Sequence, residues 1–233
     1  MKVLVIGLLF TVAASGAAFN VASVKLNTSG TNGGSDKISG SRIAIENESL
    51  RMIVFFAYGI PWGRDYQLSG PAWLDAEKFD IAATFPPGTS LDLVQEMLQE
   101  LLSERFGLRA HRENRKLESY VLLVDKHGAK LQANTTGAEY GFISGEDHMS
   151  GRAIRVADLA DRLSGPVFKL GRPVVDMTGI KGTYDFTLKW SSEAEGASIF
   201  TALQEQLGLR LEARKTAFSI VVVDHMDRTP TGN

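Results

Sequence analysis

The segment ARKTAFSIVVVDH (213–225) decides the architecture of this chain, because a similar segment, NRKLESYVLLVDK, lies 99 residues earlier at 114–126. The segments agree at four pairs of equivalent positions: Arg115 and Arg214, Lys116 and Lys215, Val124 and Val223, Asp125 and Asp224. An apolar run of this length that ends in a charged residue is typical of a strand leaving the core. We therefore predict the same last strand in two copies of one unit.

Three further pairs of similar segments occur in the same order upstream of this strand. They are GSRIAIENESL (40–50) with SGRAIRVADLADRL (150–163), KFDIAATF (78–85) with TYDFTLKW (183–190), and LQELLSERFGLRAHRE (98–113) with LQEQLGLRLEARK (203–215). An ordered series of matches indicates an internal duplication. We predict an α+β fold of two tandem βαββαβ-like units, with antiparallel sheets and helices packed on one face.

The boundaries of the repeats follow from the composition between them. The first predicted repeat covers residues 19–126 and includes a Gly- and Ser-rich loop, TSGTNGGSDKIS, at 28–39. Residues 127–148 are predicted to connect the repeats, residues 149–227 to form the second repeat, and residues 228–233 to be a tail.

Local patterns predict the main elements of the first repeat. LDLVQEMLQELLSERFG (91–107) has an apolar stripe and a terminal glycine, which predicts a helix. A second helix is expected to begin after Asn47 or Ser49 and to reach about Tyr58. LRAHRE (108–113) and SYVLLVD (119–125) are predicted as two separate strands.

The N-terminus has the layout of a secretory signal peptide over residues 1–18. Lys2 precedes an apolar run, and small residues lead to Ala18. The run is shorter than the roughly 20 residues that span a bilayer, although an uncleaved anchor is the alternative. We expect an exported protein, periplasmic or extracellular, without stable membrane insertion.

Composition excludes several classes of function. The net charge is −2, so the chain lacks the basic excess that favours nucleic-acid binding, and no nucleic-acid partner is expected. The chain contains no cysteine, which excludes a thiol nucleophile, a thiolate metal site and a disulfide. The usual motifs of serine hydrolases, P-loop proteins and zinc proteases are also missing from the sequence.

Two acidic and histidine clusters are candidate sites. GEDHMSG (145–151) places Glu146, Asp147 and His148 in a Gly-bounded loop, where the carboxylates could bind calcium and the imidazole could act as a base. The alternative is an ordinary solvated loop. The second cluster is Asp224, His225 and Asp227 at the end of the last predicted strand, where a carboxylate and an imidazole could bind metal or activate water.

The second cluster also has a simpler interpretation. Asp125 ends the equivalent strand of the first repeat, so Asp224 can be explained by strand termination and turn formation. His225 and Asp227 have no counterpart at the same positions of the first repeat. These two residues are therefore the more specific candidates on this strand.

An aromatic segment, AYGIPWGRDYQLSGPAW (57–73), is the third candidate. Its aromatic side chains could line an apolar substrate pocket, with Asp65 and Asp75 as polar neighbours; they are Tyr58, Trp62, Tyr66 and Trp73. The alternative is that these rings cap the core between short elements.

Several stretches taken together resemble a known family. They are FNVASVK, LRMIVFFAYGI, LSGPAWLDAEKFDIAA, PPGTSLDLVQEMLQELLSERFGLRAHRE, GRPVVDMTGIKGTYDFTLKW and SIFTALQEQLGLRLEARK. The chain resembles, from Phe19 to about Asp227, a family of secreted proteins from acidobacteria and other soil bacteria that is catalogued as a domain of unknown function. The resemblance implies no site residues, and lactone hydrolysis is the only activity that it suggests.

Two hypotheses of function follow. The first is a secreted hydrolase of small lactones or esters, such as acyl-homoserine lactones, in which His148, Asp147 and His225 activate water. In this hypothesis a divalent cation such as calcium could be held by carboxylates, namely Glu146, Asp147, Asp224 and Asp227. The second is a non-catalytic binding module, whose exposed sheet edges recruit peptides, glycans or other proteins.

Overall fold

The computed structural model describes residues 17–31, 33–135, 137, 139–191 and 198–232, and it confirms the predicted α+β class. Nearly all of the predicted signal peptide, residues 1–16 of 1–18, lies outside the described residues. The helices of the described residues are α1 (Leu50–Ala57), α2 (Leu91–Phe106), α3 (Val156–Ser164) and α4 (Ile199–Leu207). No helix among them is long and apolar enough to cross a membrane.

The strands fall into three four-stranded sheets. In chain order they are β1 (Val21–Leu26), β2 (Ser35–Ser39), β3 (Arg42–Ser49), β4 (Leu68–Ser69), β5 (Lys78–Thr84), β6 (Arg109–Val124), β7 (Gln132–Ala133), β8 (Gly141–Ser144), β9 (His148–Ile154), β10 (Val174–Asp176), β11 (Tyr184–Lys189) and β12 (Leu209–His225).

The chain divides into two compact units, and neither unit is continuous in sequence. Unit 1 comprises Met1–Gly59, Ala72–Arg109 and His225–Asn233. Unit 2 comprises Ile60–Pro71 and Ala110–Asp224. Compared with a division into two tandem halves, residues 60–71 of the first half belong to unit 2, and residues 225–233 of the second half belong to unit 1.

Unit 1 contains an antiparallel sheet in the order β1-β5-β3-β2 and the helices α1 and α2. Ser49 and Ser90 cap the two helices, since each hydroxyl accepts a hydrogen bond from a backbone N–H in the first turn. Helix α2 ends at Gly107, whose φ of 60° is the left-handed conformation that glycine adopts most readily. Phe79 and Phe106 are both fully buried and meet edge to face, with their centroids 5.1 Å apart.

The predicted loop at 28–39 contains a strand that the sequence pattern did not indicate. Strand β2 pairs with β3 over its whole length, from Ser35 opposite Glu46 to Ser39 opposite Arg42. All five of its side chains are exposed. Because neither face of β2 is buried, its sequence needs no apolar alternation.

Unit 2 contains a second sheet in the order β7-β11-β9-β8, again antiparallel. Its core is formed by α3, α4 and the inner faces of the strands, with Met149, Leu188 and Leu203 fully buried. The predicted connection at 127–148 thus contains β7 and β8, because the second unit needs its own outer strands.

Unit 2 also contains the third sheet, in the order β10-β6-β12-β4. The predicted strands LRAHRE and SYVLLVD are in fact parts of one 16-residue strand, β6. Opposed contacts such as Asp125 with Gly208 and Ser119 with Thr216 indicate that β6 and β12 run antiparallel.

The two outer pairs of this sheet correct the expectation of antiparallel sheets throughout. Strand β10 is parallel to β6, and β4 is parallel to β12. Parallel neighbours need a long connection, and about 50 and about 150 residues separate these partners in the chain.

Candidate functional site

The sheet of unit 2 has an open edge along β11, whereas the equivalent strand of unit 1, β5, is covered by a neighbouring strand. In unit 1, β1 pairs with six residues of β5, from Phe79 to Thr84. In unit 2, the corresponding strand β7 pairs only with Tyr184 and Asp185 of β11. Among the described residues, the rest of β11, residues 186–189, has no strand beside it on this side.

The connection before β7 explains the open edge. Only seven residues separate the end of β6 from the start of β7. The N–H of Asp125 donates to the carbonyl of Gly208, and the N–H of Lys130 donates to the carbonyl of Leu207 at the end of α4. These bonds hold the chain at α4, so it cannot follow β11 further.

A side chain partly replaces the missing strand. The amide of Gln206 accepts from the N–H of Lys189 at 3.0 Å and donates to its carbonyl at 2.6 Å. A glutamine amide has the same donor and acceptor as a peptide unit, so this pair imitates a strand contact.

Thr187 lies between the two occupied positions of this edge. In an antiparallel strand the residues that hydrogen-bond to one side alternate. Asp185 bonds toward β7 and Lys189 bonds toward Gln206 on the same side. The backbone N–H and carbonyl of Thr187 therefore face the open edge, while its other side lies opposite Ser150 of β9.

A cavity of about 540 Å³ opens at this edge. This volume is within the range of about 300–1,000 Å³ that is common for ligand sites. The cavity is bounded by side chains and backbone from β7, β9, β11 and the end of α4; its lining includes Lys130, Gln132, Ser150, Arg152, Asp185, Phe186, Thr187, Gln206 and Leu207.

The charges of the cavity favour an acidic ligand. Lys130 and Arg152 supply two cations, and Asp185 is the one carboxylate of the lining. The carboxylate of Asp185 accepts from the side chain of Asn134 at 2.8 Å and from the N–H of Ala153 at 2.9 Å. These hydrogen bonds lower the pKa of Asp185, and the positive charge of the nearby Arg152 lowers it further. The lining still has two cations for one carboxylate.

The bond from Ala153 belongs to a β-bulge. Ala153 has a φ of 52°, and the register between β9 and β11 shifts at this point. Unit 1 has the same arrangement: Asn47 has a φ of 55°, and Asp80 accepts from its N–H and from the side chain of Asn27. The bulge fixes the position of Arg152 beside the cavity.

Two of the predicted acidic and histidine residues, Asp147 and His148, form a pair. In the loop of unit 2, His148 Nδ1 lies 2.8 Å from Asp147 Oδ1, and Glu146 is exposed. This hydrogen bond lowers the pKa of Asp147. Both partners are largely exposed, so solvent screens the pair strongly.

The three residues at the end of β12 have different partners. Asp224 Oδ2 lies 2.8 Å from His111 Nδ1 of β6, and this contact raises the pKa of the imidazole. In unit 1, His225 Nε2 lies 3.5 Å from Asp227 Oδ1, and the N–H of Asp227 donates to the carbonyl of Phe106. Asp227 therefore also helps to hold the end of α2.

No group of three or more His, Asp or Glu side chains among the described residues could hold a metal ion. The predicted calcium ligands instead occur as pairs with histidine or as an exposed side chain. Calcium binding by these residues stays a prediction.

The predicted aromatic pocket residues are divided between the units. In unit 1, Tyr58 follows α1, and the ring of Trp73 lies 5.2 Å from the guanidinium of Arg228. In unit 2, the ring of Trp62 lies 4.4 Å from the guanidinium of Arg162, and the ring of Tyr66 meets Phe218 edge to face.

A bidentate ion pair anchors the segment that carries these two rings of unit 2. Arg64 donates to both carboxylate oxygens of Asp161 at 2.7 and 3.1 Å. Gly63 has a φ of 86°, and a Cβ there would lie 2.4 Å from the carbonyl of Asp161. Glycine is required at this close approach.

Sequence reasoning missed the open edge, including Thr187, Gln206 and Arg152. The predicted connection between the repeats runs from 127 to 148, whereas in the structure only DKHGAKL (125–131) separates β6 from β7. A connection of this length limits where the next strand can begin. His111 was missed because it follows no motif and lies more than 100 residues from its partner in sequence.

Comparisons with known proteins give one match. A family model described as "Protein of unknown function (DUF3738)" matches residues 51–226. No curated protein matches the chain. No solved structure matches it either.

Proposed function

This chain belongs to DUF3738, a family of proteins of unknown function, and we propose that it is a binding module that captures an extended peptide of a partner protein. The peptide adds as an antiparallel strand to the open edge of β11. The observation that carries the proposal is the backbone of Thr187, which no strand of the described residues covers on one side and which lies at the mouth of a cavity of about 540 Å³.

The strand β1 of unit 1 supports an extended ligand. It is the strand that covers β5, and it does so over six residues in antiparallel register. An added strand gains affinity from backbone hydrogen bonds and specificity from the pockets that receive alternate side chains. A peptide on β11 would form at Thr187 the kind of contact that Ser23 of β1 forms with Ala82.

The charges beside the edge support a peptide that carries a carboxylate. Arg152 and Lys130 flank the cavity, and Asp185 is already hydrogen-bonded within the protein. A guanidinium binds a carboxylate through two parallel hydrogen bonds, which also fixes orientation. One residue of the bound peptide would lie opposite Thr187. An acidic side chain on the neighbouring peptide residue would reach Arg152 and Lys130.

Gln206 would be displaced when the peptide extends past Thr187. Its amide occupies the N–H and carbonyl of Lys189. Gln206 is exposed, so its side chain can rotate into solvent, where water would replace its hydrogen bonds with Lys189. Binding would then exchange one side-chain amide for two backbone hydrogen bonds.

Selection of peptides on matched variants tests this proposal. A display library of random heptapeptides is selected on the purified protein, and the enriched peptide is measured by calorimetry against Thr187→Pro and Thr187→Ala. Proline removes the N–H at the open edge, and an edge position tolerates it. Alanine keeps the N–H and is the control.

We expect Thr187→Pro to weaken binding by at least tenfold and Thr187→Ala to bind within about twofold of the parent. Replacing the carboxylate of the selected peptide by an amide should also weaken binding. Equal binding by the proline variant, with a native circular dichroism spectrum, would refute strand addition. Failure to enrich any peptide would count against the proposal as well.

Hydrolysis of small lactones or esters is a second proposal, favoured by the hydrogen bond between Asp224 and His111. A carboxylate that holds one imidazole nitrogen orients the ring so that the other can accept a proton from water. In His111 that other nitrogen, Nε2, lies 3.9 Å from Glu113 Oε2, an oxygen of a second carboxylate beside the proposed base. Asp147 and His148 form a similar pair. The pair at Asp224 adds His111 to the proposed residues His148, Asp147 and His225.

An assay on the mature protein tests hydrolysis. Protein that begins at Phe19 is incubated with an acyl-homoserine lactone, with calcium or with a chelator, and ring opening is measured against buffer. The variants His111→Gln, His148→Gln and His225→Gln assign the base, because one of them should lose most of the rate. No ring opening above buffer in the presence of calcium would exclude the proposal.

Export to the periplasm or the medium is part of both proposals, and it rests on the predicted signal peptide at residues 1–18. N-terminal sequencing of protein recovered outside the cytoplasm tests it. Mature protein that begins near Phe19 is expected. Recovery of uncleaved protein in the membrane fraction would favour the anchor instead.

A further inference from the structure

A second cavity, of about 280 Å³, lies elsewhere in unit 2. One wall is formed by Asp65 and Tyr66, which precede β4. The opposite wall is the segment between α3 and β10; its lining residues are Ser164, Gly165, Pro166, Lys169, Gly171, Arg172 and Pro173. This volume suits a ligand of a few heavy atoms rather than a peptide.

The lining of this cavity has an excess of positive charge. Within the part of the chain that the structure describes, neither Lys169 nor Arg172 takes part in a salt bridge. Asp65 is the one carboxylate of the lining. Two cations and one carboxylate leave a formal charge of +1, which complements a ligand with a single negative charge.

The backbone at Lys169 is unusual. Three described residues other than glycine have a positive φ, namely Asn47, Ala153 and Lys169. The first two are equivalent bulge residues whose N–H groups are held by aspartates. Lys169 has a φ of 50° because it is the left-handed C-cap of the 3-10 turn Pro166–Phe168, and its N–H donates to the carbonyl of Pro166. This cap places Lys169 at the cavity.

Neighbouring aromatic rings hold two residues of the cavity in place. Tyr66 packs edge to face against Phe218, with ring centroids 4.9 Å apart. The guanidinium of Arg172 lies 5.4 Å from the centre of the Tyr120 ring. Burial raises the pKa of Tyr66 to about 12, so its hydroxyl keeps its proton and can donate a hydrogen bond at neutral pH.

We propose that this cavity binds a small monocarboxylate, held by Arg172 and Lys169 beside Tyr66. A planar guanidinium matches the two oxygens of a carboxylate. The aliphatic part of the ligand would contact Pro166 and Pro173, which line the same cavity. Asp65 disfavours a dianion, so inorganic phosphate should bind more weakly.

Titration by NMR tests this proposal with defined probes. Sodium acetate, sodium benzoate and inorganic phosphate are added separately to ¹⁵N-labelled protein at constant ionic strength. The backbone amides of Gly165, Gly171 and Arg172 report on the cavity. Arg172→Gln and Lys169→Gln remove the two cations, and Lys181→Gln removes an exposed lysine of the same unit as the control.

We expect a carboxylate to shift these amides with saturation, Arg172→Gln to weaken the affinity at least tenfold, and Lys181→Gln to leave it unchanged. Shifts that persist in Arg172→Gln, or that spread over the basic surface without saturation, would overturn the proposal. Tighter binding of phosphate than of either carboxylate would overturn the assigned ligand class. The peptide-binding result does not affect these outcomes, because the two cavities share no residue.

Discussion

The antiparallel sheets of the two units have the same strand order but different first strands. In unit 1 the first strand, β1, lies beside β5, which precedes α2; in unit 2 the first strand, β7, lies beside β11, which precedes α4. The order β1-β5-β3-β2 therefore corresponds to β7-β11-β9-β8. In unit 1 the first strand is long, and in unit 2 it has two residues. The difference shows that chain connectivity, rather than the sheet itself, determines which edge stays open.

The bulges extend the similarity to single hydrogen bonds. Asp80 and Asp185 each accept from a backbone N–H of a residue with positive φ and from an asparagine side chain. The N–H groups of Asn27 and Asn134 donate to the carbonyls of Lys78, the first residue of β5, and Thr183, the residue before β11. These contacts support the proposal that the halves arose by duplication.

The largest expected effect is on the free energy of unfolding, and it comes from replacing the last core residues of α2 and α4. Phe106→Ala removes a fully buried ring and its contact with Phe79, whereas Leu207→Ala removes a smaller side chain that is 2% exposed. We expect losses of about 4 and about 3 kcal/mol in the free energy of unfolding, measured with chemical denaturant. Leu91→Ala, at an exposed position, should cost less than about 0.5 kcal/mol. A smaller loss at Phe106 than at Leu207 would contradict the comparison.

The next prediction concerns the two bulges. Asp80→Ala leaves the N–H of the buried Asn47 without its acceptor, whereas Asp185→Ala affects the half-buried Ala153, which water can reach. We expect the free energy of unfolding to fall by about 2–3 kcal/mol in the first variant and by about 1–2 kcal/mol in the second. Denaturation of both variants under identical conditions measures the difference. Equal losses would mean that solvent access does not distinguish the bulges.

A smaller effect is expected on peptide affinity when Gln206 is replaced, and this prediction rests on the proposed peptide binding. Gln206→Ala frees the edge at Lys189, so a selected peptide should bind about three- to tenfold more tightly, in line with one competing hydrogen-bonded contact. Gln204→Ala, on the same helix but hydrogen-bonded to Asp125, is the control and should not change the affinity. Calorimetry measures both variants. Weaker binding by Gln206→Ala would show that Gln206 contacts the peptide instead.

The smallest effect distinguishes Asp125 and Asp224, the aspartates at the ends of the two long strands β6 and β12. Asp224 bonds to His111, whereas Asp125 accepts from Gln204. Asp224→Asn should therefore lower the pKa of His111, and Asp125→Asn should not, as measured by NMR titration of the imidazole. Because the folded pKa of His111 is raised, its contribution to stability is present below about pH 6.5 and is lost as the pH rises through the folded value. An unchanged pKa in Asp224→Asn would contradict the assigned cause.

The local elements were largely predictable from the sequence. Ser49 and Ser90 start helices, and Gly107 ends α2, because caps depend on nearby residues alone. The repeated apolar segments also indicated the C-terminal parts of β6 and β12, although the sequence divided β6 into two strands. These features depend on short-range pattern, which a single sequence contains.

The candidate sites were less predictable because they depend on contacts between distant segments. The pairing of His111 with Asp224 joins residues 113 positions apart. Thr187 has an ordinary side chain, and only its exposed backbone makes it a candidate. Trp62 and Tyr66 belong to unit 2 although the residues on both sides of their segment belong to unit 1. The residue types alone do not indicate such placements.

The parallel pairing of β4 with β12 has a consequence for synthesis and folding. Leu68 pairs with Val221, so about 150 further residues must be synthesised after Leu68 before this contact can form. Contacts of such high sequence separation slow folding, because a large loop must close before they form. A nascent chain of this protein would therefore stay incompletely folded until β12 has left the ribosome. A protein cut before β12 would lose one of the two central strands of the third sheet, together with the strand that β4 pairs with.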